Sequence, residues 1–280
     1  MKKLGMILLC IALSAGFILP MAGCGEQSRT VNSRLPQQAV VLEEGMLLDK
    51  QTANEKYLKS LDSDRLMYFF YTTARLPVRN NASPYLGWEA NNVGSSVAGH
   101  TLGHYLSAIS LMYQSTGDEW YKNKVDDIVA ELEKCQKYNG FLFSRDESDF
   151  DAVERGENTN GVLYYTVHKI LAGLFDAYTC TGSEKALELA SEFMDWIYFR
   201  ISHLNENQLA SMLLVEYGGM NEIAYQIYEV TQKEEHLAVA EAFNEALYLD
   251  AWAENRDNLS GKHANTQVPK AVGFAKGYLV

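Results

Sequence analysis

The sequence is poor in proline, in cysteine and in basic charge. Its 280 residues include five prolines, four cysteines, and 24 basic against 36 acidic residues, for a formal net charge of −12. No two cysteines stand in a CxxC spacing, so the sequence has no zinc-ribbon or dithiol redox motif. The acidic balance and the lack of a basic cluster argue against nucleic acid as a partner and favour a neutral ligand.

The first residues have the pattern of a lipoprotein signal. Two lysines precede an apolar run over 4–20, and small residues stand directly before Cys24. An ordinary secretory signal or a membrane anchor is the alternative, but the run is short for a permanent span. We therefore expect residues 1–23 to be a signal peptide, Cys24 to carry a lipid that anchors the protein to the cell membrane outside the cytoplasm, and residues 24–41 to be a tether.

Two cysteines remain for the folded part of the chain. Cys135 and Cys180 both lie in helical, half-apolar stretches, which favours buried free thiols. A disulfide between them stays open, because the spacing of two cysteines does not decide it.

Residues 42–280 show almost no strand-like alternation and instead repeat a helical pattern. Each repeat has an apolar helix, a short turn and an amphipathic second helix. Gly117 and Gly182 suit the left-handed residue that ends a helix, while Asp118 and Ser183 can cap the next helix. The predicted pairs are 97–115 with 119–137, 164–179 with 184–201, and 220–230 with 234–249; an earlier helix covers 62–73, and a last helix has Pro269 in its first turn.

The connections between the pairs decide between an open solenoid and a closed ring. Residues 79–94, 139–161 and 250–267 are rich in Gly, Asn, Asp and aromatics, and each precedes a first helix. Loops that recur at one end of the helices usually build the functional site, whereas a plain solenoid keeps its connections short. We therefore predict an all-α fold, an incomplete (α/α)6 toroid, and a chain truncated at Val280, where half a hairpin is left unpaired.

The starts of the first helices hold most of the unusual polar residues. His100 and His104 share one helix face, and their spacing could bind zinc, but the zincin motif needs a glutamate where Thr101 stands. Substrate contact or a structural hydrogen bond is the stronger interpretation. His168 and Lys169 open the next first helix and are costly to bury without a polar partner, which is either solvent or a sugar hydroxyl.

Two further groups add hydrogen-bonding residues. Glu216 and Glu222 flank two glycines that let the backbone come close to a ligand. They are candidates for a general acid–base pair, although Glu222 can simply favour a helix N-terminus through the helix dipole. Asn221 offers a donor and an acceptor beside it, and residues 263–270 are dense in polar groups. Together these groups predict a carbohydrate pocket at the mouth of the ring.

Four blocks of sequence point to a family. They are GHTLGHYLSA at 99–108, HKILAGL at 168–174, EYGGMNE at 216–222 and HANTQVPK at 263–270. In this order they resemble the signatures of the catalytic domain shared by glycoside hydrolase families 127 and 146, from about Leu42 onwards. The resemblance implies an (α/α)6 barrel that removes β-linked L-arabinofuranose from plant glycans or glycoproteins. It also implies a retaining mechanism with a cysteine nucleophile held on zinc.

The resemblance carries over to this chain only in part. It implies that the general acid/base glutamate, the zinc ligands and the nucleophile all lie beyond Val280, and Cys135 and Cys180 match none of them. We therefore expect zinc in the full-length family enzyme, no metal bound by this chain, and a fragment that is inactive alone. The residues that it implies as substrate contacts are His168 and His263, and with them His100, His104, Asn221 and Glu222.

Two other functions stay open. A polysaccharide lyase on the same architecture would need a cation beside the substrate carboxylate, and the blocks offer chiefly Lys169 and Lys270. A surface lipoprotein that binds glycans without cleaving them would use the same pocket and need no catalytic residue.

Overall fold

The computed structural model describes residues 39–90, 97–155, 157 and 161–280, and within these residues the regular structure is helical, with no strand. The predicted signal peptide, Cys24 and most of the predicted tether lie outside the described residues. The helices are α1 (Met46–Ser60), α2 (Ser63–Leu66), α3 (Tyr68–Thr73), α4 (His100–Thr116), α5 (Glu119–Cys135), α6 (Asp149–Glu154), α7 (Leu163–Thr181), α8 (Glu184–Ile201), α9 (Glu206–Leu213), α10 (Met220–Thr231), α11 (Glu234–Ala242), α12 (Ala246–Ala253) and α13 (Ala264–Leu279).

Three helical hairpins form the body of the fold, as predicted. Helix α4 pairs with α5, α7 with α8, and α10 with α11. The first helices α4, α7, α10 and α13 pack side by side in that order, and the second helices α5, α8 and α11 form a further layer. The apolar faces of the two layers meet in the core, where Ile109, Leu171 and Ile197 are fully buried.

The hairpin turns follow the predicted chemistry except at one residue. Gly117 and Gly182 end α4 and α7 in the left-handed conformation, with φ of 69° and 73°, and Gln232 does the same after α10 with φ of 54°. Asp118 caps α5, because its carboxylate accepts a hydrogen bond from a first-turn N–H at 2.9 Å. The expectation for Ser183 is wrong: it stands at the N-cap position of α8, but its side chain makes no capping bond.

Several predicted helix boundaries are wrong. The helix expected over 62–73 is two helices, α2 and α3, with Met67 between them. The second helix of the third pair ends at Ala242 and is followed by a separate helix, α12. Pro269 lies well inside α13, not in its first turn. Its missing N–H cannot donate to the carbonyl of Asn265, which lies in an exposed turn.

The two cysteines of the folded part are free thiols, so the disulfide alternative does not apply. Cys135 is buried and Cys180 is half-buried. Burial raises the pKa of Cys135 to about 12 and also raises that of Cys180, so both stay protonated at neutral pH. In the part of the chain that the structure describes, no helix is both long and apolar enough to cross a membrane.

Candidate functional site

The four first helices begin at the same end of the fold, and contacts between their first residues bring them together. The N–H of Gly219, at the start of α10, donates to His168 in α7 at 3.2 Å. The amide of Asn265, at the start of α13, donates to Glu216 at 3.3 Å. Four of the six predicted substrate contacts therefore meet in one region: His100, His104, His168 and Glu222. We call this region the helix-start cluster, and it also contains Glu89, Tyr165, Lys169 and Glu216.

A backbone contact between α4 and α7 sets the spacing of this cluster. A Cβ on Gly103 would lie 2.1 Å from the carbonyl oxygen of Lys169, and a Cβ on Gly173 would lie 2.5 Å from the carbonyl oxygen of Gly103. Only glycine permits such close packing of two helix backbones. The contact places His104, one residue after Gly103, beside the first turns of α7, which contain Lys169.

His168 is held as a neutral hydrogen-bond donor. Because its Nδ1 accepts the N–H of Gly219 at 3.2 Å, the ring hydrogen must reside on Nε2. Burial lowers the pKa of His168 to about 3, and the positive charge of Lys169 adds to the effect. A Cβ on Gly218 would lie 2.7 Å from Nδ1, so the glycine pair of the sequence lets the backbone approach this ring.

Charged groups of both signs surround His168. Burial lowers the pKa of Lys169, while the carboxylates of Glu216 and Glu222 raise it. The Nζ of Lys169 lies 4.7 Å from the centre of the Tyr165 ring. Burial raises the pKa of Glu222 against the opposing charges of Lys276 and Lys169. The cluster thus offers donors and acceptors in a partly desolvated setting, which suits hydroxyl groups.

Glu89 is a member of the cluster to which the sequence alone assigned no role. Its carboxylate is only 8% exposed and accepts the backbone N–H groups of Gly99 at 2.7 Å and Thr101 at 3.1 Å. The Nδ1 of His100 lies 2.6 Å from the same carboxylate. Helix α4 opens on Gly99, which has no side chain for capping, so its first N–H groups need an acceptor from elsewhere. That missing cap is the signal that could have identified Glu89.

His104 lies on the open side of α4, next to His100. The two imidazole rings are edge to face, with centres 5.7 Å apart. Desolvation lowers the pKa of His104, and the neighbouring charge of Lys169 lowers it further. His104 is therefore a neutral group at physiological pH, exposed at the edge of the cluster.

Two predicted contacts occupy other settings. Asn221 is fully buried: its Nδ2 donates to Asn244 and to the Lys270 carbonyl, and its Oδ1 accepts the N–H of Glu222. Both polar atoms of its carboxamide already bond to protein groups, so Asn221 is not part of the helix-start cluster. His263 is exposed at the N-cap of α13, where its Nδ1 lies 3.1 Å from the hydroxyl of Thr266.

Lys270 is not available to a ligand. It is 2% exposed and forms an ion pair with Glu245, with 2.5 Å between Nζ and Oε2. The same Nζ lies 4.6 Å from the ring centre of Tyr217 and 4.5 Å from that of Tyr248. This buried pair connects α13 to the residues before α10 and α12, so its role is structural.

The described residues do not fit a zinc site. Across these ranges, no three His, Cys, Asp or Glu side chains are grouped as metal ligands. His100 faces oxygen acceptors with Nδ1, and His168 uses Nδ1 for the Gly219 N–H. The thiols of Cys135 and Cys180 are both kept protonated by burial.

Comparison with known proteins identifies the family. The model of the β-L-arabinofuranosidase GH127 catalytic domain matches residues 39–280. The chain belongs to the GH127 family. The match begins at residue 39, close to the expected Leu42. The resemblance drawn from the four sequence blocks is therefore confirmed. No match among curated proteins was found.

Solved GH127 structures share the fold. The GH127 β-arabinofuranosidase BT3674 matches with a TM-score of 0.61 and 15% identity, over 86% of this chain and 40% of that one. A GH127 β-L-arabinofuranosidase from Geobacillus stearothermophilus T6 matches with a TM-score of 0.47 and 13% identity, over 76% and 32%. This GH127 chain spans less than half the length of either enzyme. The likeness to BT3674 confirms the predicted toroid of helical hairpins.

Proposed function

We propose that this GH127 chain binds the L-arabinofuranose unit of a β-linked plant glycan or glycoprotein, as the sugar-binding part of a β-L-arabinofuranosidase. The observation that carries the proposal is the state of His168, a neutral imidazole whose Nε2–H is fixed by the Gly219 N–H. A fixed neutral donor suits a sugar hydroxyl, which carries no charge to balance. Membership of the GH127 family supplies the identity of the sugar.

The surroundings of His168 support recognition of an uncharged sugar. Glu216 and Glu222 supply acceptors, and Lys169 supplies further donors. Tyr165 lies beside Lys169, and the indole of Trp88 is 73% exposed with its ring centre 6.5 Å from that of His100. Exposed aromatic rings of this kind can stack on the apolar face of a sugar ring.

Binding without hydrolysis is the activity that we propose for the chain by itself. A thiolate nucleophile needs a lowered pKa, whereas burial raises the pKa of both Cys135 and Cys180. In the described ranges, no group of three His, Cys, Asp or Glu side chains could hold the zinc that the family resemblance implies. We therefore do not assign a chemical step to any residue of the helix-start cluster.

Calorimetric titration with methyl β-L-arabinofuranoside tests the proposal. We expect the wild-type chain to bind this sugar, His168→Gln to lose binding, and His203→Gln to retain it. His203 is the matched control, because it is exposed and bonds only to its own segment around Phe199. We expect no release of L-arabinose from an aryl β-L-arabinofuranoside. Absence of binding by the wild type, or release of arabinose, would contradict the proposal.

The lyase alternative has weak support. A uronate substrate would meet Glu216 and Glu222 in the cluster, and like charges repel. Of the two lysines that could hold its carboxylate, Lys270 is buried against Glu245. Incubation with a pectic substrate tests this alternative. A rise in ultraviolet absorbance, which reports an unsaturated uronate product, would favour the lyase. Binding of arabinofuranoside in a native full-length chain that never cleaves it would favour the glycan-binding lipoprotein.

We also propose that the protein is held at the extracytoplasmic face of the cell membrane by a lipid on Cys24. The proposal rests on the lysines, the apolar run and the small residues before Cys24. Incorporation of radiolabelled palmitate by wild-type cells, and its loss in Cys24→Ser, is the expected result. Equal labelling of both proteins would contradict it.

A further inference from the structure

Glu89 is linked to the start of α4 at three points. Its two carboxylate oxygens accept the N–H groups of Gly99 and Thr101, and one of them lies 2.6 Å from the Nδ1 of His100. The backbone before Glu89 is fixed as well, because the Val97 N–H donates to the Trp88 carbonyl at 3.1 Å. A buried carboxylate with this many partners is held in one position.

The contacts at His100 decide which ring nitrogen carries hydrogen. The Nδ1 atom lies 2.8 Å from the Val97 carbonyl oxygen and 2.6 Å from the Glu89 carboxylate. Both neighbours are acceptors, so a lone pair on Nδ1 would face two oxygen atoms. Burial raises the pKa of Glu89, but the hydrogen bonds from His100, Thr101 and Gly99 outweigh it and hold the pKa below its usual value. The carboxylate is therefore ionised, and Nδ1 must bear a hydrogen.

In its uncharged form, a ring with hydrogen on Nδ1 has its lone pair on Nε2. Among the described residues, the hydrogen-bonding contacts of the His100 ring are all at Nδ1, and none is at Nε2. His168 is the reverse case, because Gly219 fixes its hydrogen on Nε2. The helix-start cluster thus contains two histidines in opposite tautomers, one accepting and one donating.

We infer that Glu89 is a positioning residue that keeps His100 in the Nδ1–H tautomer, so that Nε2 accepts a hydrogen bond from a sugar hydroxyl. The sugar-binding part rests on the proposed function, whereas the tautomer does not. A hydroxyl can donate and accept, and a pocket with one fixed acceptor and one fixed donor orients it. Removing the Glu89 charge frees the imidazole of His100 to exchange tautomers.

Two-bond ¹⁵N–¹H correlation spectra of the full chain, with ¹⁵N-labelled histidine above about pH 8, report the tautomers directly, since imidazole is neutral there. The His100 signals are assigned by their loss in His100→Gln. We expect Nδ1–H at His100 and Nε2–H at His168 in the wild type. Glu89→Gln should raise the minor Nε2–H form of His100 about tenfold, because a neutral acceptor holds the hydrogen less strongly than a carboxylate. Glu147→Gln, a half-buried glutamate of another loop, should leave it unchanged.

Several outcomes separate the inference from the proposed function. An Nε2–H tautomer at His100 in the wild type overturns the inference whatever the result for Glu89→Gln. So does an effect of Glu89→Gln no larger than that of Glu147→Gln. With methyl β-L-arabinofuranoside added, a shift of the His168 signals without one at His100 Nε2 overturns the acceptor role. If neither residue responds while the two tautomers are as expected, sugar binding fails and the role of Glu89 in holding the tautomer stands.

Discussion

Replacing Gly103 by alanine tests the close contact that positions the helix-start cluster. The new Cβ would lie 2.1 Å from the carbonyl oxygen of Lys169, 2.3 Å from its carbonyl carbon and 2.8 Å from the nitrogen of Ile170. These atoms belong to the backbone of α7, so no side chain can rotate out of the way. An ordinary contact begins at 3.4 Å, so α4 and α7 must separate by more than an ångström.

Two effects of opposite sign compete in this variant. Alanine favours a helix over glycine by about 1 kcal/mol, which would stabilise α4. Overpacking in a filled core costs about 1–3 kcal/mol, and a gap of 0.5–1 Å forfeits roughly a quarter to a half of each dispersion contact that it opens. The contact between α4 and α7 is the most extensive helix pairing among the described residues. We therefore expect the overpacking cost to lie at the upper end of this range, and a net loss of about 2 kcal/mol in the free energy of unfolding.

Urea denaturation of Gly103→Ala beside Gly117→Ala provides the measurement. At Gly117 no atom lies within 4 Å of the new Cβ, so only the left-handed φ of 69° opposes the change, at a cost of roughly 1 kcal/mol. The separation should also raise the pKa of His104, since it relieves desolvation and the charge of Lys169. If Gly103→Ala proved more stable than the wild type, the gain in helix propensity would exceed the overpacking cost. That result would refute the close contact between α4 and α7 at Gly103.

Three further predictions concern a cap, a buried pair and pH. Asp118→Ala should cost about 1 kcal/mol of unfolding free energy and Ser183→Ala almost nothing, since only Asp118 makes a capping bond; equal losses in urea denaturation would contradict this. Lys270→Met should cost about 3–5 kcal/mol, because it leaves the buried Glu245 carboxylate without its cation and with only the Tyr217 hydroxyl as a donor, and adding Glu245→Leu should restore most of it; a double variant no more stable than the single one would contradict this. Because folding lowers the pKa of His168 from 6.5 to about 3, the unfolded chain binds a proton between these values that the folded chain does not. The unfolding free energy should therefore fall as pH falls through this window, by up to about 1.4 kcal/mol per pH unit from this residue, and an unchanged slope in His168→Gln would contradict it.

The elements that depend on neighbouring residues were predictable from the sequence. Turn glycines such as Gly117 and Gly182 need a left-handed φ, and an apolar stripe at helical spacing has one way to be buried. The family blocks predicted that histidines of α4 and α7 meet, and the contact at Gly103 accounts for the meeting of His104 with His168.

The rest depended on partners distant in sequence. The sequence predicted Asn221 as a substrate contact, but its side chain bonds to Asn244, 23 positions away. Lys270 reads as a site lysine but pairs with Glu245, and Glu89 gains its role from a helix that begins after an intervening loop. Polar side chains have many possible partners, so their roles require the fold to be known.

The hairpin turns between α4 and α5, α7 and α8, and α10 and α11 each occupy only the two residues 117–118, 182–183 and 232–233. One inserted residue there would rotate the following helix by about 100° and turn its apolar face away from the core. The connections at the opposite end, before α4, α7 and α13, are long and can change in length without rotating a helix. Insertions at the end that carries the helix-start cluster can therefore be accommodated more easily than insertions in the three hairpin turns.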